Sequence, residues 1–317
     1  MKNPNQNVVG GVWRYLAVLG VAVILAWPVT PLPAADAAQR QFDTPERAVD
    51  ALIAAVRSGR TADLLAIFGP RSKPLVESGD AVADKNGRAK FVASYDKNHS
   101  LTTQPDGKVT LVLGKDAWPF PIPLEKADKE WHFDTAAGAE EIINRRIGRN
   151  ELSAIEVCRA YVDAQREYSS KDRNSDGLRE YAQHFTSHAN QRDGLYWPVK
   201  TGEESSPMGV LIARARDEGY ENAGTRTKRE PYHGYYYRIL KSQGSHAPGG
   251  AHDYIVGNHM IGGFALVAFP AQYGASGVMT FIVNQDGVVY QKNLGPDTDK
   301  IARQIKEYDP DPSWEAN

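Results

Sequence analysis

The hydrophobic period of the chain changes three times, and this order of elements constrains the fold more than any other feature. Residues 44–95 carry apolar side chains at helical spacing, whereas residues 101–134 read as short strands. Helical spacing returns in residues 136–169, and strand-like runs dominate residues 234–292. Groups of helices followed by groups of strands are typical of antiparallel sheets covered by helices. The sequence therefore predicts an α+β fold, and it contains no internal repeat.

The first part of the chain is predicted to contain three helices and a small antiparallel sheet. Thr44, Pro45 and Glu46 form a helix start, because threonine caps free backbone amides and proline fits the first turn. Pro105-Asp106-Gly107 is typical of a hairpin turn. Further helices are predicted at 61–68 and 82–95, and strands near Leu101 and at 108–113, 120–124 and 131–134.

The second part is predicted to begin with a long helix. A helix over 136–146 is expected to end at Gly148, and Asn150 is expected to cap a second helix over 151–169. Asp286-Gly287 is the strongest hairpin signal in the chain. The inner face of the second helix is predicted to carry Leu152, Ile155, Cys158 and Val162; strands are predicted at 234–240, 253–256, 264–269, 278–284 and 288–292, and a last helix at 298–308.

The N-terminal segment predicts export. Residues 15–27 are apolar and follow Lys2 and Arg14. This run is shorter than the roughly 20 residues that a transmembrane helix needs, and it has the length of a secretory signal. Small residues at Ala35 and Ala37 predict cleavage before Ala38. We expect residues 1–37 to be a signal peptide and the product to be periplasmic or secreted, with no membrane span after cleavage; the alternative is an uncleaved N-terminal anchor.

Charge and cysteine content exclude three classes of protein. The chain has 37 Lys and Arg residues against 39 Asp and Glu residues, so no positive excess favours nucleic acid. Cys158 is the single cysteine, which excludes an intramolecular disulfide and a lipid anchor on a cysteine near the cleavage site. Because Cys158 lies in a helical pattern, it is expected to be a buried core residue, with a reactive nucleophile as the alternative.

Several strings identify a resemblance that covers nearly the whole mature chain. They are GKDAWPFPIPL at 114–124, YVDAQREY at 161–168, PYHGYY at 231–236 and GGFALVAFPAQYGASGVMTFIVNQDGVVYQKNLGPDT at 262–298. These strings resemble the uncharacterised bacterial family catalogued as domain of unknown function 2950 (DUF2950). The resemblance implies an exported bacterial protein without an established activity, and it assigns no catalytic residue.

Two weaker resemblances concern architecture. Residues 41–135 are similar to the nuclear-transport-factor-2-like cone, in which helices cover a curved sheet. Residues 150–295 resemble the globular heads of pilin-like proteins, although the apolar N-terminal segment is separated from this region by the whole first part. The change of period and the long helix that begins the second part predict an N-terminal α+β domain at 38–148 and a C-terminal α+β domain at 149–317. Because the apolar segment is separated from the pilin-like region, filament assembly is not expected.

One loop has the spacing of a calcium ligand set. Asp172, Asn174 and Asp176 alternate at loop positions one, three and five, Gly177 at six permits a sharp turn, and Glu180 stands at nine. Position twelve is a glutamine rather than the glutamate that closes an EF-hand. The pattern predicts a weak structural calcium site; the alternative is an Asx-rich connection whose side chains bind local backbone amides.

Two histidines and one aromatic strand are further candidates. His184 and His188 are four residues apart, a spacing that suits zinc on a helix but fits a solvated polar face better. In a strand, Tyr235 and Tyr237 would face one side and Arg238 the other. With His233 they form a candidate groove for a sugar or peptide, and ordinary cross-strand packing is the alternative.

The sequence contains none of the common nucleophile or phosphate-loop motifs. We therefore expect a non-enzymatic binding or assembly module of the cell envelope, with an envelope protein or a glycan as partner. The alternative is a periplasmic hydrolase with a groove around His233 and Tyr235.

Overall fold

A computed structural model describes residues 38–225 and 230–317. The predicted signal segment lies outside them. In the first part, helices pack on a small antiparallel sheet with strand order β1-β2-β4-β5, and β3 pairs with β2. The helices are α1 (Pro45–Ser58), α2 (Thr61–Phe68), a short 3-10 turn (Pro70–Ser72), α3 (Lys73–Val76) and α4 (Ala81–Lys97), and the strands are β1 (His99–Thr103), β2 (Val109–Leu113), β3 (Trp118–Pro119), β4 (Leu124–Ala127) and β5 (Glu130–Phe133).

Local chemistry explains where this first part follows the prediction and where it departs. The Thr44 side chain accepts a hydrogen bond from the Arg47 amide and so caps α1, as predicted. The predicted strand at 120–124 is wrong, because only Leu124 belongs to a strand. Pro119, Pro121 and Pro123 lack the amide hydrogen that a strand donates to its neighbour, so the ladder is interrupted there.

A single helix, α5 (Thr135–Ser169), replaces the two helices predicted around Gly148. A glycine within a helix costs only about 1 kcal/mol relative to alanine, and the helix that continues on both sides outweighs this cost. Asn150 lies inside the helix and donates to the Ser276 carbonyl instead of capping. The predicted inner face is correct for Ile155, Cys158 and Val162, which are buried. Leu152 is 65% exposed because it lies about 120° around the helix from Cys158.

The second part is built on a five-stranded antiparallel sheet with strand order β16-β15-β14-β13-β8. The hairpin predicted at Asp286-Gly287 joins β14 and β15. The elements after α5 are β6 (His184–Thr186), β7 (Gly194–Tyr196), α6 (Gly209–Asp217), β8 (Tyr235–Leu240), β9 (Ser242–Gln243), β10 (His252–Asp253), β11 (Ile255–Val256), β12 (His259–Met260), β13 (Ala265–Pro270), β14 (Met279–Asn284), β15 (Val289–Asn293), α7 (Thr298–Gln304) and β16 (Glu315–Ala316).

Buried apolar side chains form two clusters, and α5 contributes to both. One cluster contains residues of the first part between Phe42 and Phe133, with Ile142 and Ile143 of α5 packed against it. The other contains the later turns of α5 and the sheet, including Cys158, which is fully buried as predicted. Burial raises the pKa of the Cys158 thiol to about 12, which opposes formation of a reactive thiolate.

The α+β class is confirmed, with helices and several antiparallel sheets in the described residues. The cone-like and pilin-like resemblances and the domain boundary at 148/149 stay predictions. Among the helices at 38–225 and 230–317, none combines the length and the apolar character needed to cross a bilayer.

Candidate functional site

Four groups of side chains are candidates for the functional site, and the first is a hydrogen-bonded triad centred on His233. The Ser153 Oγ lies 2.5 Å from His233 Nδ1. On the other side of the ring, His233 Nε2 lies 2.6 Å from the Glu218 Oε2. An ionised carboxylate only accepts hydrogen bonds, so Nε2 carries the ring proton and Nδ1 accepts the Ser153 hydroxyl. Serine, histidine and carboxylate therefore stand in the order that a hydrolytic triad uses.

The Glu218 carboxylate beside His233 is ionised. Burial raises the pKa of Glu218, but hydrogen bonds from His233 and Arg214 outweigh it, and the pKa lies below its ordinary value. Arg214 Nε donates to Glu218 Oε1 at 3.1 Å. A negative Glu218 accepts a hydrogen bond from the His233 ring and so fixes the ring's orientation.

A buried carboxylate, Asp80, fixes the loop that presents His233. Asp80 Oδ2 accepts hydrogen bonds from the Gly234 amide at 2.8 Å and from the Tyr220 hydroxyl at 2.9 Å. The His233 amide in turn donates to the Tyr220 oxygen at 3.2 Å. These contacts hold His233 at a φ of 49°, a left-handed conformation that is uncommon for residues other than glycine. Such strain is found more often at functional sites than elsewhere.

The predicted aromatic groove residues lie in different surroundings. Tyr235 is fully buried and its hydroxyl donates to the Met279 carbonyl at 2.9 Å. Arg238 donates to the Ala302 carbonyl at 2.8 Å and also binds the Ile305 carbonyl, beneath α7. Tyr237 is half-buried, and burial raises its pKa well above the ordinary value. Tyr237 and Arg238 line a cleft with Gln183 and strand β6, whereas His233 is hydrogen-bonded to Ser153.

A second cavity, which we call the Trp197 pocket, lies beside α6. Its volume is about 420 Å³, and its walls include two aromatic and two valine side chains together with Ser206. Val210 is 81% exposed and Val199 is 41% exposed, so its rim is apolar and open to solvent. The lining residues are Tyr196, Trp197, Pro198, Val199, Ser205, Ser206, Gly209, Val210, Ala213 and Arg216.

Two polar atoms of the Trp197 pocket residues lack a hydrogen-bond partner. Trp197 Nε1 and Ser206 Oγ are buried and bind no other group of the described residues. The guanidinium groups of Arg173 and Arg192 lie over the Trp197 ring, 5.7 and 5.5 Å from its centroid. Both guanidinium groups thus lie within cation–π range of the ring, whereas Nε1 has no acceptor. An unpaired buried donor costs about 1–3 kcal/mol. Because both atoms are buried, a bound acceptor removes this cost only when the pocket side chains shift to expose them.

In the predicted calcium loop, the side chains bind local backbone amides and one another. Gly177 has a φ of 89°, the sharp turn predicted at loop position six. Asn174 Nδ2 donates to Asp176 Oδ2 at 2.6 Å and to Glu180 Oε1 at 2.7 Å. The Asp172 oxygens accept the Ser175 and Gly177 amides, and these backbone hydrogen bonds lower the Asp172 pKa. The structure adds His259, whose Nδ1 lies 3.4 Å from Asp176 and 3.2 Å from Glu180.

His184 and His188 do not share a helix. His184 begins strand β6, and His188 follows that strand in a turn. Parallel pairing of β6 with β7 sets His184 opposite Gly194, which brings the preceding Asp193 close to both histidines. One ligand atom from each of His184, His188 and Asp193 lies within 4.8 Å of the others.

The structure is thus an α+β protein with several clusters of polar side chains. A family model described as "Protein of unknown function (DUF2950)" matches residues 39–316, and the chain belongs to this family. The resemblance stated from the sequence strings is thus confirmed. No curated protein and no solved structure matches the chain.

Sequence reasoning missed Ser153, Glu218, Asp193, Trp197 and Ser206. Ser153 and Glu218 lie 80 and 15 residues from His233, and no local motif links such positions. Asp193 meets the histidines only through the β6–β7 register. The string GLYWP at 194–198 contains a sequence signal for the pocket, a tryptophan beside a tyrosine.

Proposed function

We propose that the chain is an exported binding protein of the bacterial cell envelope that takes an acceptor-rich glycan in the Trp197 pocket. The main support is that Trp197 Nε1 and Ser206 Oγ are buried without hydrogen-bond partners. Both residues line an open pocket with an apolar rim. The signal-like segment at 1–37 and the near-neutral charge support an envelope partner over nucleic acid.

The pocket chemistry favours an N-acetylated sugar. Sugar hydroxyl and acetamido oxygens accept hydrogen bonds from indole N–H and serine O–H groups, and C–H-rich sugar faces and acetyl methyl groups pack on apolar walls. Ser206 also lies close to the start of α6, because a Cβ on Gly209 would lie 3.2 Å from Ser206 Oγ. The positive end of the helix dipole there favours an acceptor oxygen.

Ser206→Ala is expected to change binding and stability in opposite directions. Loss of the hydroxyl removes a donor to the glycan, so we expect cosedimentation with purified peptidoglycan sacculi to weaken about tenfold, which corresponds to about 1.4 kcal/mol. It also removes an unpaired buried group, so the free energy of unfolding without ligand should rise by about 1 kcal/mol. Sedimentation and urea denaturation measure the two effects.

Thr280→Val provides the matched control. Thr280 Oγ1 is also buried without a partner, but it lies in the central strand β14 and not in the pocket. This variant should gain stability and keep full binding. Competition by glycan strands stripped of peptide identifies the ligand; competition by stem peptides alone, or unchanged binding by Ser206→Ala, would contradict the proposal.

We also propose that the loop at 172–180 holds a structural calcium ion that supports the pocket. Asp176 and Glu180 supply carboxylate oxygens beside His259. Asn174 Nδ2 donates to both carboxylates, and Asp172 fixes the turn. Arg173 of the same loop contacts the Trp197 ring and the Glu204 carboxylate. An ordered loop would therefore hold one wall of the Trp197 pocket.

Calcium is expected to raise the thermal unfolding midpoint by a few degrees relative to excess chelator. A ligand at about 100 times its dissociation constant stabilises the folded state by about 2.7 kcal/mol. Asp176→Ala should abolish the rise. Asp286→Ala is the control, because Asp286 makes the same two contacts with Asn284 without other carboxylates joining them. An equal midpoint in calcium and chelator would rule out the ion.

The chain of Ser153, His233 and Glu218 favours a second candidate function, a serine hydrolase of acyl bonds. Ser153 Oγ would attack the acyl carbon, His233 Nδ1 would take the hydroxyl proton and return it to the leaving group, and water would then hydrolyse the acyl-serine. The amides around Ser153 are used by α5 itself, so the oxyanion would need side-chain donors. Asn150 Nδ2, three residues earlier and bonded to the Ser276 carbonyl, is one candidate.

A further inference from the structure

A three-residue group on β6 and β7 has the composition of a transition-metal site. Imidazole nitrogen and carboxylate oxygen are the donors that zinc and its neighbours accept, and three protein ligands with an open position are typical of reactive zinc sites. From His184, His188 and Asp193, we propose that this face of the protein binds a zinc-type divalent metal. The proposal does not depend on the glycan or the hydrolase function.

The strand register explains why the three ligands meet. Parallel pairing sets His184 against Gly194 and Thr186 against Tyr196, so Asp193 and His184 lie side by side at one end of the two strands. Gly194 permits this approach, since a Cβ there would lie 2.6 Å from the Ser187 amide nitrogen. The metal group is therefore held by backbone pairing and not by a flexible loop alone.

The ligand geometry requires only small side-chain adjustments. His188 Nδ1 lies 2.5 Å from Asp193 Oδ2, and the His184 and His188 rings stand perpendicular with centroids 5.1 Å apart. Ligand atoms around zinc lie roughly 3.3 Å apart when each bond is about 2.0 Å long.

A second His–Asp pair shows which feature is special. The His246 amide and ring Nδ1 bind the two oxygens of Asp309 at 2.8 and 2.9 Å, the same clamp that His188 makes with Asp193. The clamp at His246 belongs to neither metal-ligand group found in the described residues. The His188–Asp193 pair differs from the His246–Asp309 pair in having a third ligand, His184, close to it.

The site also has access to solvent and to the cleft beside it. His188 is exposed, so an ion can enter without opening the fold. His184 also lines the cleft that contains Tyr237, which leaves the open metal position near that cavity. A water or a ligand oxygen would complete the coordination.

Zinc titration of the purified protein tests the proposal. The full chain is expressed, treated with chelator, dialysed and titrated with zinc chloride by calorimetry. We expect one zinc per chain, at least tenfold weaker binding in His188→Ala and in Asp193→Asn, and unchanged binding in His246→Ala. Cobalt added in place of zinc should give visible absorption bands that His188→Ala removes.

Three outcomes would overturn the site. Absence of zinc binding by the unmodified protein is the first, and equal binding by His188→Ala and the unmodified protein is the second. The third is loss of binding in Glu180→Gln together with retention in His188→Ala, which would place zinc at Asp176, Glu180 and His259 instead. His188 is exposed, so its replacement should leave folding intact, as urea denaturation would verify.

Discussion

Gly138→Ala is expected to destabilise the folded protein by about 3 kcal/mol or more, at the upper end of overpacking effects. Gly138 lies in the first turns of α5, where the helix meets the backbone of the first part. A Cβ at this position would lie 2.0 Å from the Pro121 carbonyl oxygen and 2.7 Å from the Ile122 amide nitrogen. Backbone atoms cannot rotate away, so α5 would have to move away from Pro121 and Ile122. Ile122 is completely buried, and this movement would disturb its packing.

Gly148→Ala is the matched control on the same helix. A Cβ there meets no atom within 4 Å, and Gly148 is exposed. Alanine is favoured over glycine within a helix by about 1 kcal/mol, so this variant should be more stable than the unmodified protein. Urea denaturation followed by circular dichroism gives both values. If the two variants had equal stability, the close approach of α5 to Pro121 would be refuted.

Ser153→Ala is expected to abolish acyl hydrolysis if the His233 chain is catalytic, with a loss of about 10³-fold or more in kcat. His233→Ala should lose as much, because the two residues act as one unit. The assay is a screen of ester, peptide and glycan substrates with purified protein. A purely structural role would instead appear as lower stability, and neither variant would change a rate.

Ser169→Ala controls for the loss of a serine hydroxyl from α5. Its hydroxyl donates to the Arg166 carbonyl of the same helix. At a rise of about 1.5 Å per residue, Ser169 lies about 24 Å along α5 from Ser153. Its rates should equal those of the unmodified protein. Turnover that survives in Ser153→Ala, or no turnover on any substrate class, would exclude the hydrolase and leave the binding function.

Local patterns predicted those parts of the fold that depend on neighbouring residues. The Thr44 cap, the Asp286-Gly287 hairpin and the buried position of Cys158 follow from periodicity and turn chemistry alone. Gly148 was misread because its cost of about 1 kcal/mol is small beside the cooperativity of a 35-residue helix. Prolines at alternate positions broke the predicted strand at 120–124 although its apolar pattern was strand-like.

The site residues were predictable only where a motif lies within one segment. The Asx loop at 172–180 and the prominence of His233 could be read directly. The other contacts join segments that are distant in sequence. They are the partners of His233, the approach of His259 to the loop and the approach of Asp193 to His184 and His188. The unpaired state of Trp197 Nε1 is a property of packing, and no sequence pattern expresses it.

The indole N–H resonance of Trp197 tests the central claim most directly. The chain has six tryptophans, so the indole N–H groups form a small, resolvable set in a nitrogen–proton NMR spectrum, and Trp197→Phe assigns the signal. Soluble peptidoglycan glycan strands should shift the Trp197 signal and slow its exchange with water, because the N–H gains an acceptor. An unchanged Trp197 signal while the glycan is bound elsewhere would contradict the account.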